Sequence, residues 1–269
     1  MNEDMNTPYR VHPLPPRIPP AAEDPVPRPP ASTGIFSGFA GDFKAMDQKP
    51  TLLTVVDSLL KHPARVTHAL IVGRSTRTAG ILLATLLLCM LVYGVVMGSF
   101  SGGEQWWMVP LKVGIGTLLS AAICLPSLYI FGALSGSDRS FPEVAGLLLQ
   151  SLTLGSILLL GLAPVTWIFS QSTNAVAFMG FLHLLFWAVG AGFALLLMKA
   201  AFRHVSRDGT RILVLWNLIF ILVVLQMTTA LRPLVGRFDG YQWPEKKFFA
   251  THWYDCLDAD TATPPRSGR

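Results

Sequence analysis

Residues 144–198 contain 55 consecutive positions without Asp, Glu, Lys or Arg. A helix crosses a hydrocarbon core in about 20 residues. The run is therefore too long for one crossing and too apolar for a soluble loop. Its one cluster of turn-forming polar residues is "SQSTN", residues 170–174. That cluster divides it into two spans, about 144–168 and 175–198, joined by a tight hairpin. Pro164 and Trp167 mark the far end of the first span, and Asn174 is placed to cap the returning helix.

Three more uncharged windows, 78–103, 113–137 and 212–231, predict spans at about 79–100, 109–134 and 212–231. Only 14% of the chain is charged, against roughly 25% in soluble domains. The fold class read from this pattern is all-α: a polytopic transmembrane bundle of about five spans within residues 78–231. The first apolar run starts too late for a cleaved signal peptide, so the first span is expected to act as its own insertion signal.

Orientation follows from the basic residues. Arg74 and Arg77 precede the first span, Arg139 lies between the second and third, and Lys199, Arg203, Arg207 and Arg211 follow the fourth. Such clusters stay on the cytoplasmic side. The N-terminus is therefore expected in the cytoplasm, in the cytoplasmic membrane of a bacterium. Trp106, Trp107 and Trp167 fall at the opposite ends of the spans, where indole rings anchor at the lipid interface, as Arg74 and Arg77 do on the inner side. The net charge of +5 fits basic inner loops, and no basic stripe interleaved with aromatics points to nucleic acid.

Outside the bundle, residues 1–49 read as a disordered cytoplasmic arm, with ten prolines between Pro8 and Pro30. Residues 51–73 read as an amphipathic interfacial region. Leu52, Val55, Val56, Leu59 and Leu60 form one helical face, expected to lie in lipid, with a partner-binding helix as the competing reading. Thr51 or Thr54 can cap this helix, Thr54 with Asp57 resembles a capping box, and Pro63 ends or kinks it. Residues 232–269 form an aromatic-rich tail expected to pack on the outer surface or on a partner subunit.

Chemistry inside the membrane is sparse. His183 is the one His, Asp, Glu, Lys or Arg deep in a span, and such a group is a functional suspect by default. A hydrogen-bonding role in packing is its simpler use, with proton handling next. Gln150, Asn217 and Gln226 are the other intramembrane polar candidates, suited to interhelical hydrogen bonds. The pairs Gly94/Gly98, Gly132/Gly136 and Gly190/Gly192 suit close helix packing. Cys89, Cys124 and Cys256 form no C-x-x-C and suggest neither disulfide framework nor metal site. Nucleotide loops, zinc-protease motifs and nucleophile elbows are not found. No catalytic residue, metal ligand or cofactor is assigned, and an enzyme is not expected.

The layout of polar arm, short amphipathic segment with a proline, and five apolar spans resembles the Yip family of membrane proteins. The nearest local likeness is "GSDRSFPEVAGLLLQSLTLGSILLLGLAPV", where a short Gly and basic loop is followed by Phe141, Glu143 and Pro164 in the places of the bacterial members' aromatic residue and polar-tinged span ending near a proline. The family's acidic and aromatic N-terminal signature is not visible, so Rab-type GTPase contact does not carry over. The resemblance implies a non-enzymatic membrane adaptor or organiser. The partners expected are the bilayer and another membrane protein or further copies of the chain. A small transporter or channel component with His183 in its pathway is the alternative.

Overall fold

A computed structural model describes residues 43–46, 48–101, 103, 105–173, 175–203 and 210–230. All of these lie in one compact unit, Ile35–Arg269. The proline-rich arm to residue 42, Asn174, Arg207 and the tail from residue 231 fall outside the described residues. Among those described, the secondary structure is helical throughout: α1 (Leu52–Lys61), α2 (Pro63–Ile71), α3 (Thr76–Ser101), α4 (Gln105–Leu134), α5 (Phe141–Ser172), α6 (Val176–Arg203) and α7 (Thr210–Ala230).

Helices α3 to α6 are long and apolar enough to cross a membrane, which makes the chain a membrane protein. α7, 21 residues from Thr210 to Ala230, occupies the place of the expected fifth span. The 55-residue run breaks where the polar cluster stands, between Ser172 and Val176. α5 runs through Pro164 to Ser172 rather than ending near it.

α3 and α5 form the centre. α4 packs on α3, α6 on α5, and α7 on α4. Half of the most apolar stretch of α3 is buried, against 28% for α4 and α6, so the outer helices turn most of their side chains outward. Two close backbone approaches set this arrangement. A Cβ on Gly94 would lie 2.5 Å from Pro110 Cα, and one on Gly155 would lie 3.2 Å from the Gly190 carbonyl oxygen. Gly190 thus packs on α5, whereas nothing lies within 4 Å of a Cβ on Gly192. Gly132 faces the Phe202 ring, and Gly136, with φ +78°, makes the turn after α4.

The region expected at the lipid interface is built differently. Thr51 and Thr54, not Thr54 and Asp57, make the capping box of α1, because the helix begins at Leu52 and Thr54 is already its third residue; Asp57 pairs with Lys61 at 2.6 Å. Val55 and Leu59 are buried in protein, against Leu82 of α3, Leu154 of α5 and Leu197 of α6. Leu52, Leu53 and Leu60 remain exposed. The apolar face of α1 is therefore split: its centre seats on the bundle and its flanks do not. Pro63, at the first position of α2, starts a second helix that buries Ala64, Val66, Thr67, Leu70 and Ile71. In sequence alone this stretch belongs to the expected interfacial region, and no second helix buried on the bundle is read from it.

Candidate functional site

Two buried polar constellations stand out, at different depths of α5. Sixteen positions separate Gln150 from Thr166, about 24 Å at 1.5 Å per residue.

The first joins the α1–α2 hairpin to the bundle. Gln150 is fully buried on α5. Its Nε2 donates to the Pro63 carbonyl at 2.9 Å, and its Oε1 accepts from Thr67 Oγ1 at 3.0 Å. Thr67 Oγ1 also lies 3.1 Å from the Pro63 carbonyl. One amide thus holds the first turn of α2 from both sides. Three residues on, Thr153 Oγ1 reaches the Leu82 carbonyl of α3 at 3.2 Å. At the mouth of this region Glu143 closes a capping box with Ser140 at the start of α5, and its Oε1 pairs with Arg74 at 3.3 Å. Arg74 has φ +42°. It holds the left-handed position that ends α2, with the Ser75 amide bonded back to the Ala69 carbonyl at 3.0 Å. Arg77 is exposed beside it. On the outer side of the hairpin a cavity of about 160 Å³ is lined by Met46, Gln48, Thr54, Asp57, Ser58, His62 and Arg65.

The second constellation surrounds His183, which is 4% exposed. Tyr93 Oη of α3 lies 2.9 Å from its Nδ1, and the rings meet edge-on at 5.8 Å. Thr166 lies against the Tyr93 hydroxyl. His183 Nε2 is buried with no hydrogen-bond partner among the described residues. Here the sequence points to the imidazole and not to its partner. A tyrosine at membrane depth also carries a hydroxyl that needs satisfying, and that is the available signal.

The remaining candidates stand apart from both constellations. Asn217 and Gln226 are half-buried on α7. A polar tie from α7 to α4 comes from neighbouring Trp216, whose Nε1 donates to Ser127 Oγ at 3.0 Å and to the Cys124 carbonyl at 3.2 Å. Trp106 and Trp167 meet edge-on at 6.4 Å, at the end of the bundle opposite the hairpin, and Trp107 is exposed beside them. No group of three His, Cys, Asp or Glu side chains among the described residues could hold a metal ion. No protein-family model, curated protein or solved structure matches the chain.

Proposed function

We propose that the protein is a non-enzymatic scaffold or accessory subunit of a bacterial cytoplasmic membrane, with the α1–α2 hairpin on the cytoplasmic side. In this reading it belongs with the Yip-like adaptors that its layout resembles. One observation carries it: a hairpin too short to cross the membrane is fixed to the bundle by the buried Gln150 amide, while Leu52, Leu53 and Leu60 of α1 stay uncovered. A rigid mount with an exposed apolar flank suits presentation to another membrane protein. The orientation is supported by Arg74, Arg77, Arg139, Lys199 and Arg203, which border the spans at the hairpin's end of the bundle.

Purification in mild detergent from native membranes, followed by mass spectrometry, is expected to recover a stoichiometric membrane-protein partner. The double variant Leu53→Asp, Leu60→Asp should lose that partner while still purifying as a folded bundle. Recovery of the same partner by this variant overturns the reading.

A transport role is the second reading, favoured by His183 Nε2, buried at membrane depth with no hydrogen-bond partner among the described residues. Loss of solute or proton flux on His183→Ala, with assembly intact, would select it over the scaffold.

A further inference from the structure

The helix faces that carry His183 and its partner Tyr93 also carry buried methionines. On α3, Met90, Tyr93 and Met97 recur at i, i+3 and i+7, and on α6 Met179 lies one turn before His183. Met90, Tyr93, Met97 and Met179 all belong to one buried cluster, which His183 joins through its bond to Tyr93. Helical side chains lean toward the helix N-terminus, so the imidazole of His183 lies over the turn that carries Met179. The i, i+4 spacing on one helix face is one at which two side chains can share a metal ion.

The hydrogen bonding suits ligation. A neutral imidazole that donates from Nδ1–H to the Tyr93 oxygen keeps its lone pair on Nε2, the atom without a partner among the described residues. The Tyr93 proton is then free to turn to Thr166. A ligating histidine characteristically donates its other N–H to an oxygen in this way, which fixes tautomer and ring orientation. The donor set restricts the ion. Thioethers are neutral and soft and select Cu(I), whereas hard cations require oxygen ligands. Methionine has three rotatable bonds and can swing its sulfur without repacking the backbone.

We infer that His183 Nε2, Met179 and a thioether of α3, Met90 or Met97, form a buried site for a soft monovalent metal ion of the Cu(I) type, with Tyr93 as its positioning residue. The inference stands independently of the scaffold reading, since it uses no residue of the hairpin.

The test uses the full-length protein in detergent, titrated anaerobically with Cu(I) against a chromophoric chelator. One ion is expected to transfer per chain, and X-ray absorption of the complex should show sulfur together with imidazole nitrogen. Met179→Leu conserves volume, and it and His183→Gln are each expected to weaken binding about tenfold or more. Tyr93→Phe, which removes the orienting oxygen while keeping the ring, should cost about 10- to 100-fold. Elution profile and helical content verify that each variant is folded. Failure of the wild-type chain to take an ion from the chelator overturns the proposal. So does uptake that Met179→Leu and Tyr93→Phe leave unchanged, which would place the ion on other histidines, cysteines or methionines.

Discussion

The hairpin end of the molecule and the bundle around its glycine contacts are both buried, but they are held by different physics. α2 is seated on α5 by side-chain hydrogen bonds that reach over 80 positions in sequence, Gln150 to Pro63 and to Thr67. The one glycine at that seam, Gly146, has ordinary van der Waals room against Leu70. In the bundle, α3 and α4 touch backbone to backbone at Gly94 and Pro110, and α5 and α6 do so at Gly155 and Gly190. A side-chain clamp can be removed and leave two intact surfaces. The backbone contact at Gly94 leaves no room for even a methyl group, and at Gly155 and Gly190 a methyl group would force the facing helix to give by a few tenths of an ångström. The bundle is therefore expected to tolerate perturbation of the hairpin, and the hairpin to fail with the bundle.

The sharpest way to break that contrast is Gly94→Ala. The new Cβ would meet Pro110 Cα at 2.5 Å, and because the obstacle is backbone, α4 must shift as a body. Overpacking of this kind costs about 1–3 kcal/mol and occasionally more, and this contact belongs at the upper end. Thermal unfolding in detergent is expected to show a larger fall than for any change at the hairpin, with the hairpin lost in the same transition. A melting point equal to wild type would mean that α3 and α4 do not pack at this distance.

Gln150→Leu probes the other region. The Pro63 carbonyl would lose one donor, while Thr67 would keep the same carbonyl as acceptor. The expected cost is about 1–2 kcal/mol, confined to the hairpin. Limited proteolysis or amide exchange should reveal faster opening of residues 52–71, with the four long helices protected as in wild type. If the spans lose protection in parallel, the hairpin and bundle form one cooperative unit and the contrast between them fails.

The unequal legibility of these regions has a physical cause. Lipid-exposed length and charge depletion are local properties, so α3 to α6 are visible from composition along the chain, to within a few residues. The break at 173–175 is visible because polar turn formers have no other use inside an apolar run. α2 is hidden because its burial depends on a distant surface. "PARVTHALI" contains Arg and His and lies among basic residues, and only the presence of α5 and α3 makes Val66, Thr67, Leu70 and Ile71 core. For the same reason the sequence of α1 suggests a face wholly in lipid: periodicity finds an apolar face but not what covers it. Glycine spacing within one helix points to Gly190 and Gly192, whereas the contact runs between helices, Gly190 to Gly155. His183 is legible as an expensive residue at membrane depth. Its Tyr93 partner, 90 positions away, is not.

The smallest expected effect lies at the joint between the two regions. Arg74 adopts φ +42°, a conformation that costs a non-glycine residue about 1–2 kcal/mol, at the helix-ending position that glycine usually fills. Its side chain is 78% exposed, so the bond to Glu143 returns at most about 1 kcal/mol. Arg74→Ala keeps the backbone penalty and loses the ion pair. Arg74→Gly loses the same pair but removes the penalty. The glycine variant should therefore be more stable than the alanine variant by about 1 kcal/mol and close to wild type, as read by chemical unfolding in detergent. Equal stability of the two would mean that the α2–α3 joint relaxes out of the left-handed conformation once Glu143 no longer holds it. The hairpin would then be tethered to α3 by a pliable link and fixed by the Gln150 clamp together with its buried apolar side chains.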